Sequence, residues 1–228
     1  DEFAILSQQR SGIAIKNVIL DPGHGGRDNG ATGRRMRLKE KTLALDLARR
    51  IKCRLEENGL KVLMTRSSDT FVPLQGRADA ANDAGADLFV SVHINASRSR
   101  SLRGFECYYL SDTADDNVRA LQASRDSAPK FGAAATAERS AYLDRTLWDM
   151  TMTEDRIESA LLARYICGSV DKSLAMANNG IKKARFYVLK NVRMPAVLVE
   201  AGYISNRYEE SRLKDPAFLD KLAVAVTE

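Results

Sequence analysis

The stretch DLFVSV, residues 87–92, decides the fold. It is almost unbroken in its apolar character, as expected of a strand covered on both faces within a parallel sheet. Upstream, residues 73–84 read as a helix starting at Pro73, a residue well suited to a first helical turn. KVLMT, residues 61–65, precedes it as a strand. From residue 38 to residue 58, Leu43, Leu47, Ile51 and Leu55 recur every four positions with Ala44 and Ala48 beside them. Gly59 follows as a helix stop, so an amphipathic helix is predicted. KNVIL, residues 16–20, begins a first strand that runs into a loop from Asp21 to about Arg37. Strand, helix, strand, helix, strand is the alternation of an α/β layer with a largely parallel sheet.

Downstream of the deciding strand, GFECYYL (104–110) predicts a fourth strand. The texture then changes. Residues 111–180 carry no strand signal, hold the alanine-rich GAAATAERS (132–140), and show helical apolar spacing at 142–150 and 157–174. This reads as a helical insertion. ARFYVL (184–189) and PAVLVE (195–200) predict the last two strands, and Asp215 before Pro216 caps a closing helix through Val226. The expectation is a single domain over residues 1–228 with a helical insertion at 111–180.

A chain of 228 residues with 44% hydrophobic content can bury a sizeable core. Its apolar runs fall short of the roughly 18 residues a membrane span requires, and no signal peptide is expected within this chain. A formal net charge of +5 favours anionic partners. The basic clusters RRMR (34–37) and RSRSLR (98–103) lack interleaved aromatics, which argues against nucleic acid. Cys53, Cys107 and Cys167 lie far apart, without a CxxC pair, and are expected to be small buried apolar residues. With no heptad pattern, a monomer is expected.

Ligands of open α/β sheets bind beyond the carboxyl ends of the strands. Both histidines of the chain, His24 and His93, fall at such ends, and Glu200 closes the run PAVLV at a third. Sheet formation requires none of this. Imidazoles and carboxylates together suit zinc, whose catalytic sites take three protein ligands and leave a fourth position for water. Two histidines therefore need a carboxylate. Glu40, at the start of the long helix fed by the His24 loop, is a candidate, with Asp28 and Glu106 as rivals. The glycine-rich loop lacks the GxxxxGK[ST] and GxGxxG spacings that cradle phosphate.

Together, ILDPGHGGRDNGA, LKEKTLALDLARRI, VLMTR, SVHINA and VLVEAGYISN resemble, in matching order from about Lys16 to Glu228, the zinc-dependent N-acetylmuramoyl-L-alanine amidases of the amidase-3 type. The resemblance implies a twisted, mostly parallel mixed sheet flanked by helices, and one zinc ion held by His24, Glu40 and His93. It also implies a catalytic Glu200, peptidoglycan as substrate, and a periplasmic or extracellular location. Asn95 is a candidate substrate contact. The resemblance extends to division-associated members in which a helical segment blocks the zinc cleft until a LytM-type activator displaces it. LDRTLWDMTMTEDRIESALLA (143–163) resembles the helical region after that plug. Residues 115–149 are then the candidate plug, with Asp126, Glu138 or Asp144 occupying the open zinc position. Two alternatives stand beside this reading: a wall-binding module without turnover, and a zinc peptidase cutting within the stem peptide.

Overall fold

The computed structural model describes residues 15–110 and 141–228, and in the helix that begins at residue 141 the side chains from residue 154 onward. Strand β1 (Asn17–Pro22), helix α1 (Glu40–Glu57), strand β2 (Lys61–Met64), helix α2 (Leu74–Asp83) and strand β3 (Leu88–Asn95) alternate as the apolar spacing predicts. After them come β4 (Phe105–Leu110), the long helix α3 (Ala141–Ser173), β5 (Asn178–Ala184) and the short α4 (Tyr187–Lys190). Strand β6 (Ala196–Tyr203) and helices α5 (Arg207–Leu213) and α6 (Pro216–Thr227) close the chain.

The sheet has six strands in the order β2-β1-β3-β6-β4-β5. Strands β2, β1, β3 and β6 run parallel, whereas β4 is antiparallel to β6 and carries β5 parallel to itself. DLFVSV thus lies in β3, near the middle of the sheet. A period of two sorts each strand between two cores. Val18, Leu20, Val90, Val92, Cys107, Val197 and Val199 face Leu47 and Ile51 of α1, Ile166 and Val170 of α3 and Leu222 of α6. Ile19, Phe89, Tyr108 and Leu198 face the opposite way, onto Ala78 and Ala81 of α2 and Val188 and Leu189 of α4. On this second face the alternation continues at the carboxyl edge of the parallel strands with Asp21, Ser91, His93 and Glu200. The apolar floor therefore gives way to titratable side chains within one or two residues.

Three expectations need correction. The strand after the insertion is Asn178–Ala184, whereas ARFYVL supplies only its last residue, Ala184, and most of α4. NNGIKKA escapes a hydrophobicity reading because β5 is an edge strand with alternate exposed positions, and its lysines suit an unpaired edge. Residues 142–150 and 157–173 belong to one continuous helix, which stops one residue short of the expected end at 174, and its C-terminal half packs in the main core through Ala163, Ile166, Cys167 and Val170. Cys107 and Cys167 are buried as expected, but Cys53 is exposed. It sits on α1 between the core-facing positions Ile51 and Leu55. A thiol reagent should accordingly modify one of the three cysteines of the native protein rapidly, and all three after denaturation; two fast native thiols would contradict the packing.

Asp215 caps α6 by accepting from the Ala217 amide, as its pairing with Pro216 predicts. Among the described residues, no helix is long and apolar enough to cross a membrane.

Candidate metal centre

The loop after β1 is shaped by close approach. His24 has φ 60°, a left-handed conformation that costs a non-glycine residue on the order of 1–2 kcal/mol. At Gly23, a Cβ would stand 2.3 Å from the His93 ring, so only glycine lets the β1 loop and the end of β3 meet. Gly30 combines φ 61° with a Cβ position 2.6 Å from both Glu40 Oε2 and His24 Cδ2. With the backbone drawn in this far, the His24 and His93 ring centroids are 5.0 Å apart.

Glu40, the first residue of α1, stands between the two imidazoles. Its Oε1 lies 3.0 Å from His24 Nε2 and 3.0 Å from His93 Nδ1. The Ala31 amide donates to Oε2 at 2.8 Å, and the Ile94 amide to Oε1 at 3.2 Å, which fixes the carboxylate plane. One ligand atom from each of His24, Glu40 and His93 falls within 4.8 Å of the others, so the three could hold a metal ion.

Asp28 is not a fourth member. Its Oδ2 lies 2.8 Å from His24 Nδ1, while its Oδ1 accepts from the Gly30 amide at 3.0 Å. With the Nδ1 hydrogen donated to Asp28, the Nε2 lone pair of His24 faces the cluster, the arrangement by which an outer carboxylate sets a ligand's tautomer. Burial by itself would lower the His24 pKa, but the hydrogen bonds to Asp28 and Glu40 and their charges raise it to about 10. Without an ion, a proton on His24 therefore meets the charge of the two acids. A divalent cation answers the same excess, and the donor set fits one.

Glu106, the other rival, is also outside the cluster. It is buried on β4 and accepts through Oε1 from Lys182 Nζ (2.5 Å), the Tyr203 hydroxyl (2.7 Å) and Asn179 Nδ2 (3.2 Å). Its Oε2 accepts from the Tyr108 hydroxyl (2.6 Å) and Asn95 Nδ2 (3.1 Å). Five donors leave it no capacity for an ion. Asn95 is buried, with Oδ1 taken by the Ala96 amide and one Nδ2 hydrogen by Glu106, so a single amide hydrogen remains for a ligand.

Glu200 pairs with His93 across β3 and β6 and with Glu106 across β6 and β4. It is 6% exposed, and its Oε2 has no hydrogen-bond partner among the described residues. Burial, followed by the charges of Glu40 and Glu106, pushes its pKa well above the ordinary carboxylate range. A buried acid with a free oxygen beside a three-ligand cluster is poised for proton transfer. Two further residues of this region, the buried Arg66 and Arg77, escape a sequence reading because an isolated arginine has no diagnostic spacing.

Three residues at the carboxyl edge that could hold an ion, a carboxylate behind one imidazole and a buried acid beside them are what a metal-assisted hydrolase requires. The family described as N-acetylmuramoyl-L-alanine amidase matches residues 18–228, and the chain belongs to it. Among curated relatives, AmiC of Escherichia coli O6:H1 is 35% identical over 213 residues, which cover 92% of this chain and 50% of that protein. AmiA of Escherichia coli K12 is 33% identical over 213 residues, covering 92% of this chain and 73% of AmiA. The chain thus spans half of the one relative and about three quarters of the other. Among solved structures, an N-acetylmuramoyl-L-alanine amidase from Clostridium difficile 630 superposes with a TM-score of 0.72 at 25% identity, covering 93% of each chain. AmiC2 of Nostoc punctiforme gives 0.69 at 29% identity and 95% coverage of both.

Proposed function

We propose that the chain is a zinc-dependent peptidoglycan amidase that hydrolyses the amide between N-acetylmuramic acid and L-alanine. The observation that carries this reading is the unpartnered, buried carboxylate oxygen of Glu200 beside the His24, Glu40 and His93 cluster. His24 Nε2, Glu40 Oε1 and His93 Nδ1 would hold the ion. When bound, zinc supplies Lewis acidity toward the scissile carbonyl and lowers the pKa of a water toward about 7. Glu200 accepts the proton of the attacking water and returns it to the departing amine nitrogen of L-alanine. The raised pKa of Glu200 suits a group that must hold a proton between taking it and returning it. The free Nδ2 hydrogen of Asn95 is assigned to a substrate carbonyl.

In the same reading, residues 1–228 form one catalytic unit acting as a monomer in the periplasm or outside the cell, and the insertion expected at 111–180, which ends before β5 begins at Asn178, is regulatory. The candidate plug, 115–149, begins outside the described residues, as do Asp126, Glu138 and the side chain of Asp144. One of these acids would be a further ligand to a bound ion at rest, and a LytM-type activator protein would withdraw it.

Mass spectrometry of purified peptidoglycan digested with the zinc-loaded chain tests the proposal, with a chelated sample and a chain lacking residues 115–140 alongside. Stem peptides beginning at L-alanine, formed only with zinc and faster after the deletion, are expected. Peptides cut internally would identify a peptidase instead, and no product from either chain would leave a wall-binding module.

A further inference from the structure

The left-handed turn at His24 needs something to hold it, and two buried guanidinium groups lie beneath it. Arg66, just beyond β2, donates from Nε to the Pro22 carbonyl (2.9 Å) and from Nη2 to the carbonyls of Gly23 (2.7 Å) and Lys41 (2.8 Å). Its Nη1 reaches Ser68 O at 3.0 Å. Arg77, in the first turn of α2, donates from Nη1 to Pro22 O and Asp21 Oδ1 (both 2.7 Å), from Nη2 to His24 O (2.7 Å) and from Nε to Val72 O (3.0 Å). Three consecutive carbonyls, Pro22, Gly23 and His24, are thus gripped by two planar forks. Arg66 also grips the carbonyl of Lys41, next to Glu40.

We infer that Arg66 and Arg77 are positioning residues of the metal centre, whose guanidinium groups clamp the β1 loop against the first turn of α1 so that His24 and Glu40 face each other before an ion arrives. This rests on the metal-centre reading above.

Stability alone is a poor reason for the arrangement. Both side chains are 3% exposed, and all four Arg66 contacts are to neutral carbonyls. Only Arg77 of the two makes an ion pair, with Asp21, and that carboxylate already accepts from Thr65 Oγ1 (2.6 Å) and Ser91 Oγ (2.8 Å). Burial and the neighbouring Arg77 lower the Arg66 pKa to about 10, the mark of a crowded positive pair. Buried charge of this kind is costly and seldom improves stability over apolar packing. What a guanidinium offers, and an ammonium does not, is several donors in one rigid plane. That geometry orders a chain of carbonyls, and here the carbonyls belong to His24, to the two residues before it and to the residue after Glu40.

The test uses the full chain carrying Arg66→Lys or Arg77→Lys, with Leu47→Val as a core substitution remote from the loop. Amide hydrogen exchange of residues 23–30 is followed without metal, and zinc affinity by competition with a chromophoric chelator. Gly25 and Asp28 exchange backbone hydrogen bonds with each other, so their protection reports the loop directly. The lysine variants should keep the helical circular-dichroism signal, lose loop protection, and bind zinc about 10–100-fold more weakly, the range for loss of an outer partner. Leu47→Val should lower Tm and leave both readouts unchanged. Loop protection and zinc affinity within about twofold of the parent in folded lysine variants would overturn the inference. So would an equal change in both readouts in Leu47→Val. If the lysine variants fail to fold, Arg77→Ala decides: recovery of loop protection on adding millimolar guanidinium supports the clamp, and none refutes it. A parent that binds no zinc would defeat the metal-centre reading, while the metal-free exchange experiment would still report whether the two arginines hold the loop.

Discussion

Replacing Glu200 with glutamine is expected to remove turnover and, at the same time, to stabilise the metal-free protein. The two effects have one origin. The side chain is buried with Oε2 unpartnered among the described residues, so the fold carries the cost of a desolvated carboxyl group, and the proposed mechanism uses that group as its base. Losing that base should cost about 10²–10⁴-fold in rate. The stability change has a definite sign. Because the folded pKa lies above the unfolded one, the folded state keeps a proton that the unfolded chain gives up as pH rises past the ordinary carboxylate range. The contribution of Glu200 to stability therefore falls with rising pH, and glutamine abolishes that fall. Thermal melts of parent and Glu200→Gln, both metal-free, should diverge between the acid and neutral range with the variant melting higher. Parallel melts at every pH, or appreciable hydrolysis by the variant, would count against the assignment.

The second large effect is expected from Glu40→Ala. Glu40 Oε1 is the point on which both imidazoles converge, at 3.0 Å each. Removing it leaves two histidines, one ligand short of a catalytic zinc site, and takes away the carboxylate between two half-buried rings, with Asp28 still beside His24. Metal content by elemental analysis should drop to background and hydrolysis with it. Asp28→Ala gives the graded comparison. It leaves all three ligand atoms in place and removes only the carboxylate that orients His24, so zinc affinity should fall about 10–100-fold. If Glu40→Ala retained stoichiometric metal, or Asp28→Ala weakened binding as much as Glu40→Ala, the division into ligand and orienting partner would be wrong.

Much of the fold was legible in the chain because its elements report themselves locally. The helix at Glu40–Glu57 has a four-residue apolar repeat, and β3 is apolar enough to demand cover on both sides. Strand β5 did not report itself, since a strand that among the described residues pairs with β4 alone needs no continuous apolar run, and its neighbour FYVL drew the assignment away. Cys53 was misjudged for a related reason. Helical position, not side-chain chemistry, decides which face a residue occupies, and residue 53 falls between core positions.

The candidate site divides along the same line. Placement of His24, His93 and Glu200 at the carboxyl ends of parallel strands follows from strand direction, which the alternation of elements already implies. The choice among Glu40, Asp28 and Glu106 does not. All three carboxylates lie close to the histidines along the chain or across the sheet, and only the packed structure shows one between the imidazoles, one behind His24 and one consumed by five donors. The arginine clamp was likewise invisible, because residues 66 and 77 meet residues 22–24 only after β1, β2 and α2 have assembled. The sequence by itself determined the alternation of elements, and hence the edge of the sheet where chemistry collects, because hydrophobic periodicity is a local property. The tertiary structure decided which acid lies between the imidazoles, which stands behind His24 and which is consumed by other donors, because those places depend on distances of about 3 Å between side chains, and no local pattern encodes them.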